Sequence, residues 1–368
     1  MSRLQICQSL ELWWTARIWA RLFGFWVFTL VTTTGFSQAP GVVIEEPMSR
    51  DENTALLEKA LALQKTGKLT PGAQLKEQLK NPRPILVRTM PPRTDNLDPA
   101  LLARRARDIR LWIMVLYICP KCTNWHLDDF AAAYAVASDV IATCEHSFDK
   151  VVKRQPREPL RESYLLVRDG QGRLFGITSI VAVNPTMDAA LLQVDPPHLN
   201  PVPLNDQLSP GDNVFCYSDP LGQAGYFSDG IVNRFYWLPN RRGSPGSLEQ
   251  TSYLRVNFGT DWAPGSSGAP ILDRCGNVAG HVSSIHALSR PQENRPTMEE
   301  KTNQSGSLPS VPPNLPLITV HEGIPARGVL ALIRDVNEKA EPRLARPPSL
   351  SYDSPVRPRN EEGTSGAP

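Results

Sequence analysis

Charge of one sign is scarce in this sequence. Lys and Arg number 39 against 37 Asp and Glu, a formal net charge of +2, a surplus too small to imply a nucleic-acid surface, and no nucleic-acid partner is expected. Long apolar runs are missing as well. The uncharged run Leu22–Val31, about ten residues, is too short to span a bilayer comfortably, so no stable membrane span is expected. Nor is there a second C-x-x-C to complete a four-thiolate metal site around Cys119-Pro-Lys-Cys122. No bound metal and no cofactor are expected.

What is there fills one sizeable domain with extensions: 368 residues, 41% apolar and 21% charged. Many of the 35 prolines fall in the N-terminal connector and the C-terminal region, as expected of linkers and tails. Arg17 and Arg21 precede the short apolar run, and Ser37-Gln-Ala39 follows with small residues. Residues 1–39 therefore read as a signal peptide, with an uncleaved signal-anchor as the other reading. Either places the rest of the chain in the periplasm or outside the cell. Residues 40–104 form an N-terminal extension. Helical spacing appears at Glu52–Leu63 and Ala73–Leu79, before Pro82, Pro84, Pro91 and Pro92 interrupt it. With too little apolar content for its own core, this part is expected to be mobile or loosely docked.

Residues 105–340 have a different texture. A basic helix over Asp98–Arg110 feeds the strand Leu111–Tyr117. Short apolar runs follow at Tyr164–Val167, Leu174–Val183, Ala189–Val194, Asn213–Tyr217 and Tyr253–Val256, with a hairpin signal at Asp169-Gly170-Gln-Gly172. Many short strands and few long helices predict an all-β barrel or sandwich. Residues 289–313, polar and proline-rich, read as a disordered insertion. Leu315–Val320 then predicts a last strand, Ala326–Lys339 an amphipathic helix, and 341–368 a disordered tail.

Chemistry concentrates at Gly265-Ser266-Ser267-Gly268-Ala269-Pro270. Glycines on both sides free the backbone for a tight turn that aims the amides of Gly265 and Ser267 into one space, where they would hold a developing oxyanion. A serine hydroxyl is a weak nucleophile until an imidazole takes its proton, and the imidazole needs a carboxylate to fix its tautomer. Both are available upstream. His146 ends the second of two short strands that turn at Ser138-Asp139, and Asp188 heads the run Ala189–Val194.

With these residues in view, the chain resembles a trypsin-like serine protease of the chymotrypsin fold, of the bacterial HtrA (Deg) type but with no PDZ module visible. Thr143-Cys-Glu-His146 resembles T-x-x-H, and Asp188-Ala-Ala-Leu-Leu192 resembles D-x-A-L-L. Gly265–Pro270 resembles G-x-S-G-G-P with alanine at 269. Asp219-Pro-Leu-Gly222 and Gly230-Ile-Val232 resemble two segments that lie between the aspartate and the serine. The resemblance spans Leu111–Ile285. It implies two six-stranded barrels, with His146 and Asp188 from the first and Ser267 from the second, and a C-terminal helix packed on the second barrel. It also implies roles: His146 as general base, Asp188 as its orienter, Ser267 as nucleophile, and a protein or peptide as substrate.

Three features depart from that pattern or leave it open. Cys144 and Glu145 replace small residues before His146, and Ala269 is tolerated only without a positive φ. Asp261, six residues before Ser267, stands where a buried carboxylate would select Arg or Lys, with His281 and Ser283 beside the pocket. Small or aliphatic residues are the other reading, with Trp262 filling the space. For Cys119 and Cys122, a disulfide, free thiols and a metal site with His126 all stay open, with the disulfide favoured outside the cytoplasm. Two functions follow: an exported serine endopeptidase acting through an acyl-enzyme, or an inactive protease-fold module that binds or scaffolds in the cell envelope.

Overall fold

The structure, a computed structural model, describes residues 44–119, 121–147, 162–288 and 318–344. The expected signal segment and insertion, and the tail beyond 344, lie outside the described residues. From Pro47 onward the described chain forms one compact unit. Among these residues no helix is long and apolar enough to cross a membrane.

Three helices come first: α1 (Arg50–Lys65), α2 (Gly72–Gln78) and α3 (Pro99–Ile109). Ser49 starts α1 with a capping box, its hydroxyl accepting from the Glu52 amide while Glu52 accepts from the Ser49 amide at 2.8 Å. Asp98 starts α3 by accepting from the Leu101 amide at 2.9 Å, with Pro99 in the first turn. These helices are not loosely held. The α1 residues Leu56 and Ala60, one turn apart, bury against Met114, Leu116 and Leu166. Leu75 of α2 enters the core of the first barrel, and Asn337 bonds both the amide and the carbonyl of Val87. The extension lacks a core of its own because its apolar residues complete the barrel's.

The first barrel closes six antiparallel strands in the order β1-β2-β3-β6-β5-β4. They are β1 (Leu111–Ile118), β2 (Trp125–Ala137), β3 (Val140–Thr143), β4 (Ser163–Arg168), β5 (Leu174–Asn184) and β6 (Ala189–Asp195). Period-two alternation explains both of its faces. Leu111, Ile113, Val115, Ala131, Ala133, Ala135, Ala190, Leu192 and Val194 fill the interior. Their neighbours Met114 and Leu116 face α1, while Tyr134, Val136, Ala142 and Leu191 face the second barrel.

The second barrel runs β10-β11-β12-β9-β8-β7. Its strands are β7 (Asn213–Ser218), β8 (Tyr226–Trp237), β9 (Leu254–Phe258), β10 (Pro270–Asp273), β11 (Val278–Leu288) and β12 (Ile318–Pro325). A short helix α4 (Leu248–Thr251) precedes β9, and α5 (Ala326–Leu344) ends the described chain. Residues of α3 and α5, among them Leu102, Ala106, Val329 and Leu332, share one core with facing strands of both barrels. The all-β, two-barrel architecture with its C-terminal helix is thus the one expected. The last strand runs on past the expected Val320 to Pro325, because pairing with β9 and β11 carries it through the polar His321-Glu322, while the expected start at Leu315 lies outside the described residues.

Candidate active site

Antiparallel register brings the first two site residues together. Thr143 of β3 pairs with Ala190 of β6, so the residues just beyond each, His146 and Asp188, meet at the same end of the barrel. His146 sits in a helical turn at 145–147. Asp188 closes a turn in which Asn184 accepts from the Met187 amide, and its own φ of 63° is left-handed. Its Oδ1 accepts the His146 backbone amide at 2.9 Å, and its two carboxylate oxygens lie 3.0 and 2.9 Å from His146 Nδ1. Ser283 Oγ donates to Oδ2 at 2.5 Å. Burial alone would raise this carboxyl, but the hydrogen bonds and charge of His146 and the Ser283 hydroxyl outweigh it and hold it below its ordinary value.

Ser267 comes from the turn before β10. Its Oγ lies 3.0 Å from His146 Nε2, and the Ser147 hydroxyl lies 3.3 Å from the same nitrogen. Ser266, by contrast, is fully buried with its hydroxyl donating to Ser218 Oγ at 2.9 Å. Two glycines make the turn possible. Gly265 has φ 106°, and a Cβ there would lie 2.8 Å from the Asp219 carbonyl oxygen. Gly268 has φ 83°, and a Cβ there would strike the Ala132 carbonyl and the Thr143 hydroxyl. Ala269 has no positive φ and is buried, so alanine fits. The Ser267 carbonyl accepts the Ala132 amide of β2 at 2.8 Å, while the Ala132 carbonyl accepts Thr143 Oγ1, also at 2.8 Å. The turn is therefore stitched to the first barrel. Among the described residues, the amides of Gly265 and Ser267 donate to no protein acceptor.

Support comes from residues that carry no role in the motifs. Asp219 accepts from Arg110 at 2.6 Å, from Trp112 Nε1 at 2.8 Å and from the Gly225 amide at 2.7 Å. That fixes the 3-10 turn Pro220–Gly222, whose Leu221 amide bonds the Pro264 carbonyl at 2.8 Å, beside the Ser267 turn. Arg255, buried, donates to the Thr186 carbonyl at 2.6 Å and so steadies the turn carrying Asp188. No local pattern marks Arg110 or Arg255, because their partners lie far away in sequence.

The expected substrate-pocket residues are placed differently. His281 is fully buried beneath Asp188, its Nδ1 3.2 Å from the Tyr134 hydroxyl and its Nε2 3.4 Å from the Asp188 carbonyl. Burial pushes its imidazole down to about 4. Ser283 is the third partner of Asp188. Both lie on β11, where the Gly268–Val282 hydrogen bond turns this edge toward Asp188. Asp261 is exposed, and its backbone amide and carbonyl both bond Ser228 Oγ. Trp262 is buried, bonding the Ser284 carbonyl and lying over His321. A cavity of 330 Å³ lies at the other side of the second barrel, near Phe235, Leu254 and Ala326, and none of these residues takes part in the cleft.

Among the described residues, two clusters bring metal-ligand types together. Cys144, His146 and Asp188 have ligand atoms within 4.8 Å of one another. Cys144 is a poor ligand, because it is buried, burial pushes its thiol well up, and it donates to the Val282 carbonyl at 2.8 Å. The second cluster is Cys119, Cys122 and His126, also within 4.8 Å. Both of its cysteines are free thiols, and Cys122 Sγ is 3.0 Å from His126 Nε2.

Residues 131–280 match the family model described as "Trypsin-like peptidase domain". An uncharacterized protein, y4bJ, of Sinorhizobium fredii (strain NBRC 101917 / NGR234) is 36% identical over 121 residues, which are 32% of this chain and 17% of that protein. The chain thus matches a small part of that relative. A solved structure described as "HtrA-type protease AlgW with decapeptide" aligns over 66% of this chain and 68% of its own, at 16% identity and a TM-score of 0.44.

Proposed function

We propose that the chain, whose residues 131–280 match the "Trypsin-like peptidase domain" model and which folds as two closed six-stranded barrels, is an exported serine endopeptidase whose nucleophile is Ser267. The observation that carries this reading is the unbroken line from Ser267 Oγ to His146 Nε2, 3.0 Å, and from His146 Nδ1 to Asp188, 2.9 Å. In the first half-reaction Ser267 Oγ attacks the scissile carbonyl as His146 Nε2 takes its proton. Asp188 keeps the Nδ1 proton in place and stabilises the imidazolium that forms. The Gly265 and Ser267 amides hold the oxyanion. Collapse of the tetrahedral intermediate breaks the C–N bond, His146 returns the proton to the leaving amine, and an acyl-Ser267 ester is left. Water then repeats the cycle and releases the acid.

The substrate class is a protein or peptide, and the site of action is the periplasm or cell exterior, as the arginine-flanked apolar run near the N-terminus suggests. An active-site-directed fluorophosphonate tests the chemistry. It should label Ser267 and leave Ser266 unmodified, and Ser267→Ala should lower turnover by about 10³-fold or more without unfolding the chain. Hydrolysis retained in Ser267→Ala refutes the assignment. An unlabelled, well-folded wild type would favour the inactive binding module.

A further inference from the structure

The β1–β2 hairpin tip has nothing to do with the cleft, yet it converges three soft donors. Cys119 follows directly on β1, Cys122 lies in the turn, and His126 is the second residue of β2. The turn is tightly specified. Cys119 donates its amide to the Asn124 carbonyl and accepts the Thr123 amide on its own carbonyl, both at 2.9 Å, and Thr123 takes a left-handed φ of 59° to allow this. His126 is held from the other side, its ring stacked on Tyr117 at 5.6 Å, the residue directly opposite it in the ladder. Tyr117 is in turn fixed by its hydroxyl bond to Asp128 at 2.8 Å.

We propose that Cys119, Cys122 and His126 bind one Zn²⁺ ion, with a water in the fourth, solvent-facing position. A tetrahedral zinc with bonds of about 2.3 Å to sulfur and about 2.0–2.1 Å to nitrogen needs neighbouring ligand atoms about 3.5–3.8 Å apart. The three donor atoms already lie within 4.8 Å of one another, and the Cys122–His126 pair at 3.0 Å needs only to open slightly. Two thiolates and a neutral imidazole balance the charge of the ion. Soft sulfur with imidazole selects Zn²⁺ over Mg²⁺ or Ca²⁺. Binding is an acid–base step without oxidation: two thiols lose their protons to solvent, two Zn–S bonds form, and affinity rises with pH. A disulfide between Cys119 and Cys122 would use the thiols but leave the convergence of His126 without a role.

The test uses the full chain. As isolated, it should contain about one zinc per molecule by elemental analysis, with Cys119 and Cys122 recovered as thiols. After chelation and under reducing conditions, Co²⁺ should give a thiolate-to-metal charge-transfer band. Losing a ligand should cost at least as much as losing a residue that only orients one, about 10–100-fold in affinity, so Cys122→Ser and His126→Ala should each weaken Co²⁺ binding by at least that much. Cys122 is exposed, so Cys122→Ser should fold, and circular dichroism of both variants checks this. A chain isolated with Cys119 and Cys122 joined as a disulfide overturns the proposal. So does a reduced wild type that binds Co²⁺ no more tightly than Cys122→Ser.

Discussion

Three donors converge on the Asp188 carboxylate: the His146 ring, the His146 amide and the Ser283 hydroxyl. The first two come with the motif, whereas Ser283 stands 95 positions away and reaches Asp188 only because β11 lies against the Ser267 turn. A hydrogen bond to a charged group is worth about 1.5–3 kcal/mol, so Ser283→Ala should lower kcat roughly tenfold or more and leave KM nearly unchanged, measured on a chromogenic peptide. His281 makes a second prediction. Its folded pKa is depressed to about 4 from 6.5 by burial. The unfolded chain therefore takes up a proton over that interval and the folded chain does not. Stability from this residue is full above 6.5 and falls as pH drops toward 4. Urea unfolding at several pH values should show that slope, and His281→Gln should flatten it. Asp188, held below the ordinary carboxylate range, adds its own loss only at still lower pH. His146, Asp188 and Ser267 were legible in sequence because each sits at an apolar strand end or in a glycine turn. His281 and Ser283 were read as pocket residues because a strand sequence does not reveal which face meets a distant carboxylate.

At the scale of elements, the strands of the first barrel were legible because their apolar positions recur at intervals of two or fill whole runs. β8 was not. Gly230, Asp229, Asn233 and Arg234 break its pattern, and its strand character comes from pairing with β7 and β9 rather than from its own composition. The N-terminal helices show the converse error. Their periodicity was visible, but their partner was not, since Met114, Leu116 and Leu166 belong to strands whose other faces are also buried. Leu56 is 4% exposed in this contact. Leu56→Ala should therefore cost about 2–5 kcal/mol in denaturant unfolding. A loose extension would give nearly zero.

Over the whole molecule, the two barrels share a core with α3 and α5, and a polar tie runs alongside it. Arg110, at the entrance to the first barrel, reaches Asp219 beyond β7 of the second, and its guanidinium lies over the rings of Trp112 and Tyr217 at 4.0 and 4.6 Å. Removing one partner of a largely buried ion pair leaves the other poorly compensated. Arg110→Ala should cost roughly 3 kcal/mol of unfolding free energy. It should also lower kcat, because Asp219 positions the loop against the Ser267 turn. Arg110→Lys should recover part of the stability. Denaturant melts and peptide hydrolysis on the same samples separate the two effects.

The hydrogen bond from the Ala132 amide to the Ser267 carbonyl has a consequence for the chain as it is made. Synthesis delivers His146 and Asp188 first, with no nucleophile to serve. When the Ser267 segment emerges, its carbonyl meets the Ala132 amide of a finished β2. A half-made or half-unfolded molecule thus holds His146, Asp188 and Ser267 without their alignment. On the proposed function, newly made chains would therefore be inactive toward one another until each has completed both halves.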